Sequence, residues 1–521
     1  MFRHGQPPQA RYRFKHALVQ EAAYASLLKS RRQQLHTRIA TVLEARFPAL
    51  GETEPEVLAH HYAEAGLPAH AIPYWQWAGQ RAIELSAHIE AIAHLTKGLE
   101  ILKTLSDTPE RARQELDLQL TLGLALMATK GNGSPDVERA YARARELCQQ
   151  LGETPQLFSA LLGLRAVHFM RAEFHTAREV GEQLLSLGQS VQDPTLLLEA
   201  HRAHGITLFF LGELIPARRH LEQSIALYDP QQHRSYAIRY PTDPGVACRC
   251  WAGLCLWLLG YPDQALERSH EALVWAQELT HPYSLVFVLN YAAWLHQYRR
   301  EAQAAQERAE AAITLSADRG FAHNLELGMT WRGWALAAQG REEEGIAQMR
   351  QGLAARGAAG ADANPPFLLA LLAEAYGTAG QAEEGLTVLD EALATAHKTG
   401  EAVCEAELYR LQGELLLRVS PEHRAGAETC VQQAIEIARR QQAKSLELRA
   451  AMSLSRLWQQ QGKRAEARQL LAEVYSWFTE GFDTADLQEA KALLEELSRE
   501  LSHMSIWHGT TASRVLGLRS L

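Results

Sequence analysis

Six cysteines in 521 residues are too few for a disulfide framework. Cys248, Cys250 and Cys255 cluster, but on a helix the first two point about 200° apart and cannot share a metal. Buried small residues in a reducing, cytoplasmic compartment are expected instead. Alternating valine and isoleucine are nearly missing, which excludes an extensive sheet. The longest stretch without a charged residue, 279–298, contains His281, Pro282, Asn290, His296 and Gln297; it reads as a buried helix, and no membrane span is expected. The N-terminus lacks the apolar core of a signal peptide. Positive charge is in deficit: 52 Lys+Arg against 61 Asp+Glu give a formal −9, so a basic nucleic-acid-binding face is not expected. Phosphate-cradling chemistry has no support either. No Gly-x-x-x-x-Gly-Lys-Ser/Thr loop exists, and the one Gly-Lys pair, Gly462-Lys463, runs into Arg464. Gly-x-Ser-x-Gly and Gly-x-Gly-x-x-Gly are missing too. No enzyme, cofactor or metal site is expected.

What is present is a repeat. The chain exceeds the roughly 250–300 residues at which single cores stop growing, so it must be several domains or an array. Small residues open a helix at Ala71, Ala91, Ala140, Ala177, Ala217, Ala265, Ala305, Gly345, Gly385, Ala427 and Ala467. From Ala177 onward the steps are 40, 48, 40, 40, 40, 42 and 40 residues. A glycine stands five residues earlier at Gly212, Gly260, Gly340, Gly380 and Gly462. A period near 40 predicts an all-α, right-handed superhelical solenoid of about ten stacked helical hairpins. Glycine or alanine at the helix crossing lets the two helices approach to the close end of the usual 8–10 Å. The short step from Ala71 to Ala91 predicts one helix shared by two hairpins. The 48-residue step holds a proline-rich insertion, Asp229–Val246, read as a surface loop. Asp193-Pro194 and Ser420-Pro421 read as helix starts, and Thr53 with Glu56 as a capping box.

Residues 1–50 lack the repeat spacing. They carry two apolar stripes, Phe14 to Leu28 and Leu35, Ile39, Val42, Leu43 and Phe47. These predict helices that dock on the first repeats, self-associate through residues 12–47 or stay partly exposed. The array is expected over 51–498 and a poorly ordered tail over 499–521. His60 and Glu64 share a helix face beside His61, but no third ligand stands nearby in sequence, so a hydrogen-bonded surface pair is expected. His201 and His204 read as packing residues. Of eleven tryptophans, Trp251, Trp257, Trp275, Trp294, Trp331 and Trp334 cluster in the middle units. Repeat alignment puts Arg202, Phe209, Trp257, Asn290, Trp294, Gln297 and Trp334 on first helices, facing a concave groove. Such residues are candidate anchors for a protein or peptide partner, or they fill gaps between hairpins.

The unit holding Leu372-Ala373, Tyr376, Gly380, Gly385, Leu389 and Ala392 resembles tetratricopeptide repeats. That family's usual period is about 34, and a period near 40 also suits HEAT repeats. The block Tyr12-Arg13-Phe14-Lys15-His16-Ala17-Leu18-Val19-Gln20-Glu21-Ala22-Ala23-Tyr24, followed by Arg31-Arg32-Gln33-Gln34-Leu35-His36, is similar to a particular junction. It is the end of the ATPase region in bacterial signalling proteins that join a class III adenylate/guanylate cyclase, a STAND-type ATPase and a C-terminal tetratricopeptide array. The resemblance implies that residues 1–50 are a remnant of the ATPase-associated region. It also implies that the array senses a partner, and that the chain is a fragment or a stand-alone descendant of such a protein. A small-molecule-binding regulatory subunit or a transcriptional regulator is the alternative.

Overall fold

The computed structural model describes residues 2–4, 11–13, 17–152, 154–233, 242–358 and 365–499. Apart from one antiparallel pair of three-residue strands, Phe2–His4 with Arg11–Arg13, these residues form helices joined by short turns. The fold is all-α, and the chain divides into two compact units, 1–170 and 171–521.

The first unit opens with Ala17–Ala25 and Lys29–Arg46, then a short helix, Pro48–Thr53. Pro55–Glu64, Pro68–Glu84 and His88–Leu102 follow, and the middle helix packs on both neighbours. This is the shared helix expected from the short repeat step. The hairpin of Pro109–Lys130 and Pro135–Leu151 and the helix Thr154–Met170 complete the unit.

The second unit opens with Phe174–Val191. Seven hairpins follow, beginning with Pro194–Phe210 and Leu214–Leu227, Pro244–Leu258 and Pro262–Glu278, and Pro282–Tyr298 and Ala302–Arg319. Next come Ala322–Ala338 and Glu342–Ala358, and Pro366–Thr378 and Ala382–Thr399. The last two are Glu405–Val419 and Arg424–Gln441, and Lys444–Gln460 and Arg464–Tyr475, with a final helix over 485–499.

The spacing has a direct mechanical cause. In four hairpins a first-helix glycine lies over the carbonyl of the indexed small residue. A Cβ added at Gly205, Gly253, Gly333 or Gly413 would stand 3.2, 3.2, 2.7 or 2.9 Å from the oxygen of Ala217, Ala265, Gly345 or Ala427. Any larger residue would push the helices apart. The glycine five residues before the small residue is the turn itself. Gly212, Gly260, Gly340, Gly380 and Gly462 have φ between +72° and +92°, where a Cβ is disfavoured. In three further units Ser86, Ala172 and Arg300 take the same left-handed turn position, at φ +59°, +56° and +62°.

Asp193 caps its helix as expected, its Oδ1 accepting from Thr195 N at 2.8 Å. Ser420 also caps, but over a 3-10 turn, Pro421–His423, before the α-helix begins at Arg424. The Thr53 capping box does not form. Pro55 takes the first helical position and holds Glu54 extended, so Thr53 belongs to the preceding helix, where its hydroxyl donates to Ala49 O. Of the insertion, 234–241 lie outside the described residues. Pro230–His233 is a short helix, and Pro244 already begins Pro244–Leu258, capped by Asp243. Phe14 and residues 500–521 also lie outside the described residues.

The second N-terminal stripe is only half buried. Lys29–Arg46 docks on Pro55–Glu64 through His36, Ala40 and Leu43, leaving Ile39, Val42 and Phe47 exposed. Polar partners pull the helix round: Glu44 accepts from the hydroxyls of Tyr62 and Tyr74, and His36 meets His61. Cys248, Cys250 and Cys255 are buried, with Cys248 Sγ donating to Ser224 Oγ at 3.2 Å. Pro282–Tyr298 is a largely buried helix.

Candidate functional site

Within the second unit the first helices of successive hairpins lie side by side. Their shared face is not left open along its length. Ala402 N donates to Phe210 O at 2.8 Å, Arg449 Nη2 donates to Tyr298 O, and Glu480 Oε1 accepts from Asp263 N and Gln264 N. The early hairpins thus meet the late ones, and most of the candidate anchors are buried within the unit.

Phe209 is fully buried, edge-on to Phe210, Trp251 and Trp294. Trp257 stacks on Tyr298 at 4.3 Å with the Arg449 guanidinium 4.8 Å over its ring. Asn290 is buried and donates to Asn324 O at 3.1 Å. Trp294 stacks on Phe367 at 4.4 Å and on Trp331 at 5.5 Å. Arg202 pairs with Glu199, one turn away on its own helix. His201 packs against His220, Nδ1 to Nδ1 at 2.8 Å, and His204 meets the same ring edge-on. Trp257 borders a space of only about 10 Å³, whereas Gln297 and Trp334 reach a much larger cavity.

That cavity has a volume of about 440 Å³, within the range of small-ligand and peptide side-chain pockets. Five arginines line it, Arg300, Arg410, Arg418, Arg449 and Arg456, together with Glu374, Glu414, Asp486 and Glu489. They come from Glu405–Val419, Lys444–Gln460, Pro366–Thr378, the final helix and the turn after Pro282–Tyr298. Arg410 pairs with Glu407 and with Glu414, each at 2.6 Å. Arg449 Nε donates to Asp486 at 2.8 Å. Arg300 reaches Glu489 at 2.6 Å and Asp486 at 3.3 Å; Arg456 donates to Glu489, and Arg418 to Gly377 O.

The electrostatics are those of desolvated ions. Burial alone would raise the Glu407 carboxyl, but the guanidiniums of Arg410 and Arg449 hold it down at about 2. Glu374 goes the other way: burial, with the Glu407 charge adding, pushes its carboxyl above the ordinary range. Trp334 Nε1 donates to it at 3.1 Å. The cavity therefore offers guanidiniums for an anion, a carboxyl drawn toward its neutral, donating form, and an indole wall.

The aromatic search missed these charges, yet two signals for them stand in the sequence. Glu407, Arg410, Glu414 and Arg418 recur at three- and four-residue steps on a first helix, and Arg449, Ser453 and Arg456 repeat that spacing on the next first helix. Arg300 occupies a turn position where six other units have glycine. A left-handed arginine costs about 1–2 kcal/mol, a cost borne here by a residue whose head group faces the cavity.

No family model matches the chain. It is 26% identical over 461 residues to an uncharacterized protein of Rhizobium meliloti (strain 1021), spanning 87% of this chain and 44% of that relative's length. Among solved structures, it is similar to a Rap protein complexed with competence and sporulation factor, with a TM-score of 0.49, 12% identity and 76% and 99% of the two chains covered. It is also similar to the apo quorum sensor NprR from B. thuringiensis, with a TM-score of 0.42, 14% identity and 71% and 99% covered. Identities this low speak to the fold alone. Among the described residues no helix is long and apolar enough to cross a membrane.

Proposed function

We propose that the second unit is a partner-sensing scaffold whose charged cavity receives a protein or peptide segment carrying a carboxylate. The observation that carries this reading is the convergence of five guanidiniums on one cavity of about 440 Å³. Arginine forks recognise carboxylates in bidentate geometry. The carboxylates already present keep those forks ordered before a ligand arrives, and a ligand carboxylate can take over part of that pairing. Glu374, drawn toward its neutral form, and Trp334 suit a backbone carbonyl and an apolar flank beside that carboxylate. The reading requires no bond-breaking step.

The resemblance of residues 12–36 to the junction in ATPase/cyclase signalling proteins supports a regulatory setting. In that setting, occupancy of the cavity would be the input that a linked ATPase or cyclase reads, and the cytoplasm would be the compartment. The test is selection of peptides from a random display library on the full chain. Enrichment of sequences with an acidic residue or a free C-terminus, lost in an Arg418→Ala/Arg456→Ala variant, supports the reading. Enrichment indifferent to those substitutions, or none at all, refutes it.

A further inference from the structure

The first unit holds a second constellation, separate from the cavity. His36 is buried on Lys29–Arg46, and His60 and His61 are neighbours on Pro55–Glu64. His36 Nδ1 stands 2.8 Å from His61 Nδ1, and one ring nitrogen from each of the three residues lies within 4.8 Å of the others. Among the described residues this is the one group of three histidine, cysteine or acidic side chains that converges so closely. We propose that His36, His60 and His61 form a zinc-class transition-metal site that clamps the N-terminal helix to the first repeat.

The geometry is that of three neutral nitrogen donors with an open fourth position. Zinc sits about 2.0–2.1 Å from each imidazole nitrogen, which in a tetrahedral site sets the nitrogens about 3.4 Å apart. That separation falls between the 2.8 Å and 4.8 Å seen here, so small ring rotations suffice. His60 is exposed, which gives the ion a path and leaves room for a water ligand.

The far side of His36 is already arranged for such a role. Its Nε2 stands 2.9 Å from the Tyr24 hydroxyl, which donates to Glu64 Oε2 at 3.0 Å. With Nε2 protonated, Nδ1 presents its lone pair to the cluster, and the carboxylate–tyrosine relay behind it raises the ligand's basicity. The Arg32 guanidinium, 5.0 Å over the Tyr24 ring, is the opposing charge, and Glu64 offsets it.

The sequence concealed the site because the missing ligand lies 24 residues upstream of His60, on a helix outside the repeat. The inference does not rest on the cavity reading. It is tested on the full chain, free of any affinity tag, by titrating zinc chloride in a calorimeter and cobalt(II) in a spectrophotometer. One equivalent of zinc at micromolar affinity or tighter, and a tetrahedral cobalt spectrum, are expected. The surface change His60→Ala should weaken binding at least tenfold, and Tyr24→Phe should weaken it about tenfold through the relay. Hydrogen exchange in 29–46 and 55–64 should slow on zinc addition to the wild type only. Zinc uptake equal in the wild type and in a His60→Ala/His61→Ala variant, or no saturable uptake, overturns the proposal.

Discussion

The two units use one hairpin in different ways. In the first, polar bridges join neighbouring helices, as from Arg143 to Glu115 and from Tyr62 to Glu44. Apolar side chains remain on its surface: Leu18 and Leu28 are 77% and 78% exposed. In the second, hairpins far apart in sequence meet through Arg449, Glu480 and Arg300, and buried ions replace the apolar face of the first helices. The lesson is that the crossing glycines and alanines determine how helices pair, while the residues of the inner face decide whether hairpins close on one another and what the enclosed space can hold.

The largest expected effect breaks that closure. Arg449→Met leaves Asp486 with Arg300 alone and takes one guanidinium away from Glu407, and should cost about 3–5 kcal/mol. Hydrogen exchange should show that loss in 174–499 while helices of the first unit keep their protection. Equal loss in both units would mean that the buried ions are not specific to the second unit's closure.

Acid should distinguish the units in the same way. The Glu407 carboxyl is held below its unfolded value, so its stabilisation is fully present above the ordinary carboxylate range and is lost as pH falls from there through about 2. Circular dichroism with exchange labelling from pH 5 to 2 should show the second unit losing stability in that window, and Glu407→Gln should flatten the dependence.

The hairpin crossing gives a smaller effect. A Cβ on Gly385 would come within 2.7 Å of Leu415 and 3.1 Å of Ala373 O, so Gly385→Leu should overpack the site by about 1–3 kcal/mol. An unchanged melting curve would show that the helices are not held at that distance by the small residue.

The smallest effect separates strain from charge at Arg300. Arg300→Gly and Arg300→Ala lose the same ion pairs, but only glycine relieves the left-handed backbone. The glycine variant should be more stable than the alanine variant by about 1 kcal/mol in a denaturant titration. Equal stabilities would mean that the turn stores no strain.

The hairpin array was legible because helix pairing depends on residue size at fixed spacing, and Ala217, Ala265 and Gly345 each state it in the sequence. The shared helix Pro68–Glu84 followed from the same arithmetic. Contacts between distant hairpins were not legible, because nothing local in Phe210 or Ala402 says that their backbones will meet. Packing of Trp257 against Tyr298 and Arg449, and of Trp294 against Trp331 and Phe367, buries two residues that sequence alone placed along a groove. The apolar stripe of 35–47 did not say which of its residues would be covered, because a histidine and a glutamate with waiting partners outweighed Ile39 and Val42 in orienting the helix. The cavity arginines were readable as a charged stripe on a first helix, a pattern that a search for aromatics passes over.

The central claim, that the second unit's cavity is where a carboxylate-bearing segment binds, is tested most directly by photo-crosslinking. A peptide from the display selection, carrying a photoreactive residue next to its carboxylate, would be irradiated with the full chain and the adducts mapped by mass spectrometry. Adducts on 297–300, 334–338, 374–378, 410–418 and 449–456, suppressed by Arg418→Ala/Arg456→Ala, are expected. Adducts confined to the outer second helices or to the first unit would contradict it.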